Sequence, residues 1–437
     1  ADADHTKQPY LRYSFKSDAT SVKTAKDTGA DSHFMTTVPD DAYDDNPAAT
    51  STETVDVTKI VASAKCEDMK FWSPDSPNLY DVYTVLKDSE GNVLDVQKTT
   101  TGFRKVEYDI NDGGLKINDQ PVWLTGYAQR STNEWAVIGV ANDWLQDLDM
   151  QWIKESNSNF IRWMHVAPKP SQIRSGDKYG VVSACPAGDK EADVDGRAWD
   201  QRVEAMRDAM IYFRNSPSVI FWEAGNNAVT AAHQQEMTDL KNTLDPNGER
   251  FCGCRTISST DQIQAADYVG TMLNRHASNA KASMAAIKKY VPIMETEYAR
   301  EEAPRRVWDD FSPPDYDYRN KWLGSGASKT DGYDIHDLTS EDFSLVDARA
   351  YNEFYSDRVG GLSGNDYYSA AAMMVWSDSN MHNRNTGTEN CRTSGKVDPV
   401  RIKKDVFYTM QTIQSTTPKL HIVGLSLIHI SEPTRPY

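Results

Sequence analysis

The chain has 437 residues, of which 39% are hydrophobic and 25% charged, a composition typical of a folded globular protein with two or three domains. Its 64 acidic and 47 basic residues give a net charge of −17, which repels nucleic-acid phosphates and anionic lipid. No run approaches the roughly 20 apolar residues that a membrane-spanning helix needs. These properties argue against a disordered, nucleic-acid-binding or membrane-embedded chain.

Five cysteines are too few and too scattered for a disulfide framework in a chain of this length. Cys252 and Cys254 form a C-x-C pair, but neither a second pair nor a histidine cluster accompanies them at zinc spacing. On a strand these two side chains point to the same face, so we interpret them as buried thiols. We therefore expect neither a metal site nor a cofactor.

The first part of the chain has the pattern of a small β-sandwich. Two apolar segments, 82–86 and 93–96, flank residues 89–92, whose glycine and asparagine favour a hairpin turn. Alternating polar and apolar residues at 53–58 predict a further strand. Residues 1–50 show little periodicity, and we predict that they are partly irregular.

From residue 122 onward, short apolar runs alternate with helical patterns. Apolar spacing predicts two amphipathic helices, one through Trp144, Leu148 and Trp152, and one through Val203, Met206, Met210 and Phe213. Eight apolar runs predict strands at 122–125, 160–163, 181–183, 218–222, 253–256, 268–271, 291–294 and 372–376. Eight strand–helix units predict a (β/α)₈ TIM barrel with some long loops.

The predicted domains are the sandwich at 1–107 and the barrel at 108–424. An acidic, aromatic insertion at about 300–345 falls where barrel loops shape a substrate cleft. The tail at 425–437 resembles translated sequencing-adaptor sequence, so we interpret it as non-native and leave it out of the fold. The first residues contain no basic or apolar signal region, and we expect that the native N-terminus is missing.

Polar side chains follow the predicted carboxyl ends of the barrel strands, where such barrels carry their catalytic groups. They are Arg162, His165, Glu223, Asn226, Asn227, Glu295, Glu297, Asp378 and Asn380. No serine triad motif, phosphate-binding glycine loop or nicotinamide fingerprint stands near a strand end, which argues against acyl and hydride transfer. Paired carboxylates with aromatic platforms indicate sugar chemistry instead.

Five motifs in chain order resemble glycoside hydrolase family 2, the family of β-galactosidases, β-glucuronidases and β-mannosidases. They are F-W-S-P-D-S-P-N-L-Y at 71–80, G-F-R at 102–104, L-K-I-N at 115–118, N-F-I-R-W-M-H at 159–165 and R-N-S-P-S-V at 214–219. The resemblance covers about 53–424 and implies an immunoglobulin-like β-sandwich followed by the barrel. The family's N-terminal sugar-binding domain has no match, so we expect a fragment.

The resemblance implies a retaining β-glycosidase with a glutamate nucleophile on strand seven and a glutamate acid/base after strand four. Glu297, in the segment T-E-Y-A, matches the nucleophile. The alternative is a surface ion pair with Arg300, Arg305 or Arg306, but the preceding V-P-I-M strand is too apolar to end on a merely solvated face. Glu295 shares the parity of Glu297 and is interpreted as a supporting carboxylate.

The sequence departs from the family after strand four, where W-E-A-G-N-N places Asn227 at the acid/base position. Asparagine cannot transfer a proton at neutral pH. Glu223 is an alternative acid, but a straight strand would hold it about 13 Å from Asn227, so we favour a buried pair with Arg162. Carboxylates elsewhere remain open as donors, namely Glu134, Asp177, Glu301 and Asp378.

The resemblance also implies a substrate shell of Arg162, His165, Asn226, Tyr298, Trp376 and Asp378. Asn226 matches the asparagine that contacts the hydroxyl beside the reacting carbon. A packing role is a rival interpretation for Trp376, and a satisfied barrel histidine is the rival for His165. On strand three, alanine and cysteine precede Pro186 where the family carries an acidic residue, which leaves the sugar open.

These features predict a retaining exo-β-glycosidase, with β-galactosidase as the favoured activity, that acts on terminal sugars of oligo- or polysaccharides. The alternative is a catalytically impaired carbohydrate-binding relative, because Asn227 replaces the acid/base glutamate. The expected partner is carbohydrate, with neither nucleic acid nor membrane, and the oligomeric state stays open. We expect a periplasmic or secreted location rather than a cytoplasmic one.

Overall fold

The structure is a computed structural model of the chain. It describes residues 68–112, 114–130, 142–188, 192–227, 229–255, 259–271, 290–298, 348, 352, 368–378 and 395–422. The predicted strand at 53–58, the insertion at 300–345 and the tail at 425–437 lie outside these ranges.

The described residues form fifteen strands and six α-helices. The strands are β1 (Trp72–Ser73), β2 (Ser76–Pro77), β3 (Tyr80–Lys87), β4 (Val93–Thr101), β5 (Val106–Asp109), β6 (Gly114–Ile117), β7 (Gln120–Pro121), β8 (Leu124–Arg130), β9 (Phe160–Met164), β10 (Val182–Pro186), β11 (Val219–Glu223), β12 (Phe251–Gly253), β13 (Val269–Thr271), β14 (Ile293–Tyr298) and β15 (Ala370–Met374). The helices are α1 (Asp143–Glu155), α2 (Pro170–Tyr179), α3 (Arg197–Phe213), α4 (Ala231–Leu244), α5 (Thr260–Ala265) and α6 (Asp405–Ile413).

The predicted hairpin is present as the antiparallel pair β3 and β4. Its turn is held by Asp88, whose carboxylate accepts the backbone N–H groups of Glu90 and Asn92 at 2.8 Å each. Gly91 has a φ of +89°, a conformation that glycine adopts without steric cost. The turn residues read from the sequence therefore account for this connection.

Eight parallel strands form the barrel sheet in the order β12-β11-β10-β9-β8-β15-β14-β13. Each predicted barrel strand overlaps one of these eight. The two end strands, β12 and β13, approach each other. The N–H of Asp267, before β13, donates to the carbonyl of Cys252 on β12 at 2.7 Å. The backbones are so close that a Cβ added at Gly270 would lie 2.0 Å from the carbonyl oxygen of Cys254. The predicted (β/α)₈ barrel is confirmed.

The helices confirm one predicted apolar face and correct the other. On α3 the four predicted residues, from Val203 to Phe213, are all buried. On α1, however, Trp144 is 62% exposed, and the buried face carries Asp149 instead. Asp149 faces inward because it accepts hydrogen bonds from Trp376 and Arg401. Among the helices of the described ranges, none is both long and apolar enough to cross a bilayer.

The amino-terminal end of the barrel is covered by the segment that links it to the sandwich. Leu115 and Ile117 of β6 pack with Leu124 and Phe160, which begin β8 and β9. Trp72 is fully buried and its indole N–H donates to the carbonyl of Asp177 at 2.8 Å, so the first family-like motif anchors the chain to this end. Polar side chains, among them Glu223 and Glu297, lie at the opposite, carboxyl end of the strands.

Candidate active site

Arg162 on β9 is the centre of a buried polar network at the carboxyl end of the barrel. Its Nε and Nη2 donate to the two carboxylate oxygens of Glu223, at 2.7 and 2.5 Å. Nη2 also donates to Oδ1 of Asn226 at 2.9 Å. Both members of the charged pair have no exposed surface. The buried pair of Arg162 and Glu223 expected from the sequence is present.

Glu223 lies closer to the strand-four loop than a straight strand would place it. The sequence estimate assumed that the strand continues to residue 227, whereas β11 ends at Glu223 and the chain then turns. As a result, one nitrogen of Arg162 contacts both Glu223 and Asn226. Strand geometry alone therefore does not separate Glu223 from the site.

Glu297 lies in the same network, near the end of β14. Its Oε1 accepts from Nη1 of Arg162 at 3.0 Å, and its Oε2 lies 3.5 Å from Nη1 of Arg255. The residue is 5% exposed. The arginines of the alternative ion pair, at 300, 305 and 306, lie outside the described residues. Within the described chain, Glu297 is paired with barrel arginines.

Arg255 is a member of the network that the sequence analysis did not single out. It lies two residues after β12, and its Nε donates to the carbonyl oxygen of Asn226. Its Nη2 donates to Oδ1 of Asn227. The available signal was its place at a strand end, which was hidden because 253–256 was predicted as continuous strand.

A β-bulge on β14 separates the two glutamates of this strand. The register against β15 pairs Glu295 with Ala371 but Tyr298 with Met373, so β14 contains one extra residue. The carboxylate of Glu295 accepts from the hydroxyl of Thr271, on the neighbouring strand β13, at 2.9 Å. The common parity assumed from the sequence is interrupted by this bulge.

Among the described residues, the network joins two arginines to two glutamates. Arg162 contacts Glu223 and Glu297, and Arg255 contacts Glu297. Burial alone would lower the pKa of Arg162, but the charges of Glu223 and then Glu297 outweigh it, so that the pKa is raised. The arginine stays protonated and holds both carboxylates in place.

His165 and Tyr298 lie at the ends of the two strands that carry Arg162 and Glu297. His165 directly follows β9, is 8% exposed and has a φ of +68°, a left-handed conformation that is uncommon for residues other than glycine. Such conformations concentrate at binding and catalytic sites. The backbone of Tyr298 ends β14, but its side chain lies outside the described residues.

Trp376 is packed on the outer side of the barrel. Its indole N–H donates to Asp149 on α1 at 2.9 Å, and its ring lies 5.1 Å from that of Tyr127 and 6.2 Å from that of Phe407 on α6. It has no exposed surface. These contacts support the packing role that the sequence left as a rival to sugar stacking.

The other carboxylates considered as general acids lie in different parts of the barrel. Asp378 is buried against Lys404, whose Nζ lies 3.1 Å from Oδ1, and burial raises the pKa of this carboxyl although the lysine opposes the shift. Asp177 lies at the amino-terminal end, where its Oδ1 accepts the N–H of Ser218 at 3.0 Å. Glu134 and Glu301 lie outside the described residues. Asp177 is therefore on the wrong end of the barrel to act as the acid.

The described cysteines are buried thiols. Cys185, Cys252 and Cys254 are free and buried, and burial raises the pKa of Cys252 to about 12. Within the described ranges, no group of three or more histidine, cysteine or acidic side chains could hold a metal ion. The C-x-C pair therefore packs in the outer core, as its strand position indicated.

Two family models match successive parts of the chain. The model for Glycosyl hydrolases family 2 matches residues 6–104, and the model for the TIM barrel domain of the same family matches residues 108–306. Together they cover more than half of the chain. The matches confirm the expected order of an immunoglobulin-like β-sandwich followed by a (β/α)₈ barrel.

The chain is similar to a β-glucuronidase of Formosa agariphila, with 33% identity over 369 residues, which are 84% of this chain and 35% of that protein. It is also similar to a β-galactosidase of Photobacterium profundum, with 28% identity over 188 residues, 40% of this chain and 18% of the relative. The chain thus spans about a third or less of the length of these relatives.

Among solved structures, a β-glucuronidase from glycoside hydrolase family 2 has a TM-score of 0.67 and 31% identity, over 86% of this chain and 37% of that chain. A family 2 β-galacturonidase from Eisenbergiella tayi bound to galacturonate shares the fold, with a TM-score of 0.62 and 13% identity over 85% of this chain and 63% of that chain. On these sequence and structural matches, the chain belongs to glycoside hydrolase family 2.

Proposed function

We propose that the chain carries the catalytic barrel of a retaining exo-β-glycosidase that removes terminal sugars from oligo- or polysaccharides. One observation carries the proposal. Glu297 is buried near the carboxyl end of a barrel strand, and each of its carboxylate oxygens faces a different arginine. Membership of glycoside hydrolase family 2 supports this role, because glycosidases of this kind work through paired carboxylates.

Glu297 is the proposed nucleophile. Its carboxylate attacks the anomeric carbon and forms a glycosyl ester, which water then hydrolyses. Arg162 keeps this carboxylate ionised and oriented through its 3.0 Å contact. Asn226, bound to the same guanidinium, is proposed to contact the hydroxyl beside the reacting carbon, and His165 to contact the sugar.

The identity of the general acid is the open part of the mechanism, because Asn227, which cannot donate a proton, stands at the acid/base position. Glu223 is a second carboxyl that shares Arg162 with Glu297. The two-point contact with Arg162 favours the ionised form of Glu223, which is the wrong state for donating a proton. We therefore assign Glu223 a structural role.

The variant Glu223→Gln tests that assignment. Breaking one side of a buried ion pair costs about 3–5 kcal/mol, so a structural Glu223 predicts a large loss of unfolding free energy. Urea unfolding and turnover are measured on the same preparation. Lost turnover at unchanged stability would make Glu223 the acid instead.

The dependence of the rate on the leaving group tests whether the enzyme works without a general acid at residue 227. General acid help is worth about 10²- to 10⁴-fold, and without it an activated aryl glycoside should be cleaved far better than a natural disaccharide. Asn227→Glu should then narrow the difference between the two substrates. Equal wild-type rates on both substrate types would show that a competent acid exists elsewhere.

The sugar is proposed from the relatives. The relative with 33% identity is named a β-glucuronidase. We place a β-glucuronide first. A β-galactoside, the activity favoured by the sequence motifs, is the second candidate because a relative with 28% identity is named a β-galactosidase.

A panel of 4-nitrophenyl β-glycosides tests the function and the sugar together. The full chain is assayed for nitrophenol release from the β-glucuronide, β-galactoside and β-mannoside, with Glu297→Gln as the blank for contaminating activity. The highest kcat/KM is expected with the β-glucuronide. A higher value with the β-galactoside would select the second candidate.

A carbohydrate-binding relative without turnover is the alternative function, and Asn227 is the observation that favours it. Titration calorimetry with the free sugars separates the two possibilities. Heat of binding with no product from any aryl glycoside would support the alternative, whereas release that disappears in Glu297→Gln would exclude it.

A further inference from the structure

Arg255 contacts both the proposed nucleophile, Glu297, and Asn227, which stands at the acid/base position. Its Nη1 lies 3.5 Å from Oε2 of Glu297, and its Nη2 donates to Oδ1 of Asn227. Its Nε is held by the carbonyl oxygen of Asn226. One guanidinium therefore lies between the attacking carboxylate and the side chain at residue 227.

We propose that Arg255 stabilises the departing oxygen as an anion, in place of the protonation that a general acid would supply. The inference rests on the proposed function. It assigns Arg255 as a further catalytic residue, and it predicts that β-glycosides whose aglycone leaves as a stable anion, such as a phenolate, are cleaved faster than oligosaccharides.

The contact with Asn227 supports this assignment chemically. A guanidinium has only donors, so the amide of Asn227 must turn its oxygen toward Arg255 and direct its NH₂ group elsewhere. Because the leaving oxygen departs on the side of residue 227, it would lie near the N–H donors of the Arg255 guanidinium. Such donors stabilise developing negative charge without transferring a proton.

Formation of the glycosyl ester also changes the charges around Arg255. Before reaction, Arg162 and Arg255 both contact the carboxylate of Glu297. When Glu297 becomes a neutral ester, one negative charge beside both guanidinium groups is lost. An anion that departs beside Arg255 replaces that charge, and the low local dielectric strengthens its attraction to the guanidinium.

The proposed step balances without a further reactant except water. A carboxylate oxygen of Glu297 forms a bond to the anomeric carbon while the bond from that carbon to the leaving oxygen breaks. The electron pair stays on the leaving oxygen, which departs as an anion beside Arg255 and takes up a proton in solvent. Water then attacks the anomeric carbon, releases the sugar and regenerates the carboxylate, with its spare proton passing to solvent.

The test is a series of aryl β-glycosides of the preferred sugar, whose phenols differ in acidity, assayed with the wild type, Arg255→Gln and Arg255→Lys. A poor leaving group carries more negative charge in the transition state than a good one. Arg255→Gln should therefore lower kcat/KM by about 10²- to 10³-fold for the least acidic phenol and much less for the most acidic. Arg255→Lys keeps the charge and should recover part of the loss. Arg174→Gln, at an exposed ion pair with Asp143 on α1, is the matched control and should match the wild type.

The outcomes separate this inference from the proposed function. An equal loss across the series would give Arg255 only a structural role and overturn the inference, while the glycosidase assignment stands. No turnover of any aryl glycoside by the wild type would overturn both.

A measurement on the wild type alone covers the case in which the variants do not fold. A carboxylic acid donor would make kcat/KM fall as pH rises through its pKa, whereas stabilisation by a guanidinium predicts no such fall between about pH 6 and 9. The rate should also be nearly the same in heavy water. An alkaline limb with a solvent isotope effect would overturn the inference.

Discussion

Each end of the barrel contains an arginine with several hydrogen bonds, but the two arginines have different partners. At the amino-terminal end, Arg104 donates to the backbone carbonyls of Pro217, Gly248 and Val219, at 2.6, 3.1 and 2.8 Å. At the carboxyl end, Arg162 donates mainly to side chains from two other strand ends. Backbone partners fix an arginine in place, whereas side-chain partners can take part in chemistry. Arg104 therefore fixes backbone segments, whereas Arg162 orients the side chains of the candidate active site.

The pKa values of the two arginines differ for the same reason. Burial, with the charge of Arg250 nearby, lowers the pKa of Arg104 to about 9, and acidic neighbours offset it only partly. Burial also acts on Arg162, but its direct contacts with Glu223 and Glu297 outweigh burial, and its pKa is raised. Direct contact with two carboxylates, rather than burial, therefore distinguishes Arg162 from Arg104.

The largest expected effect is at the carboxyl end. Glu297→Gln keeps the shape of the nucleophile but removes its negative charge, so turnover should fall by up to about 10⁶-fold, as when a nucleophile is removed from a comparable covalent mechanism. Initial rates on the preferred aryl glycoside measure the loss. Glu295→Gln, an equally buried neighbour bonded to Thr271, is the matched control and should keep most of the turnover. Similar losses in both variants would contradict the different roles assigned to Glu295 and Glu297 on the two sides of the β-bulge.

A smaller effect, of a different kind, is expected at the amino-terminal end. Arg104→Gln removes the arginine donor from the carbonyls of Pro217 and Gly248, whereas the carbonyl of Val219 keeps the donor Arg250, and we expect the unfolding free energy to fall by about 3 kcal/mol. Turnover per folded molecule should not change. Urea unfolding and active-site-normalised rates measure both quantities, and a loss of turnover at full stability would contradict the division between the two ends.

The smallest effect concerns Asp177, whose pKa burial raises from 3.8 to about 6. A carboxyl with a raised folded-state pKa binds more protons when folded than when unfolded, so its contribution to stability is lost as pH rises from about 4 to 6. Asp177→Asn should remove this loss, which amounts to about 2–3 kcal/mol at 1.36 kcal/mol per pKa unit. Urea unfolding at pH 4, 5, 6 and 7 compares the variant with the wild type. A difference that does not grow with pH would contradict this account of the buried carboxyl.

The architecture of the barrel could be predicted from the sequence because its signals are local. Apolar runs of strand length reveal β8–β15, and the glycine and asparagine after Asp88 reveal the hairpin turn. The pair of Arg162 and Glu223 was also predictable, since a buried charge at a strand end needs a charged partner.

Other parts of the site depend on contacts that sequence spacing does not encode. The separation of Glu295 from Glu297 comes from one extra residue in β14, which is visible only in its pairing with β15. Trp376 faces the helices because Asp149 and Phe407, far away in the chain, form its surroundings. Arg255 joins the site through a turn after β12 that the strand pattern concealed.

Glu297 is expected to form the covalent intermediate, and trapping that intermediate is the most direct test of its role. The full chain is incubated with an activated 2-deoxy-2-fluoro-β-glycoside of the preferred sugar, digested and mapped by mass spectrometry. We expect a single adduct on Glu297 and none in Glu297→Gln, because this carboxylate lies between Arg162 and Arg255 in the network at the carboxyl end. An adduct on Glu295, or no adduct despite turnover of the matching aryl glycoside, would contradict this role.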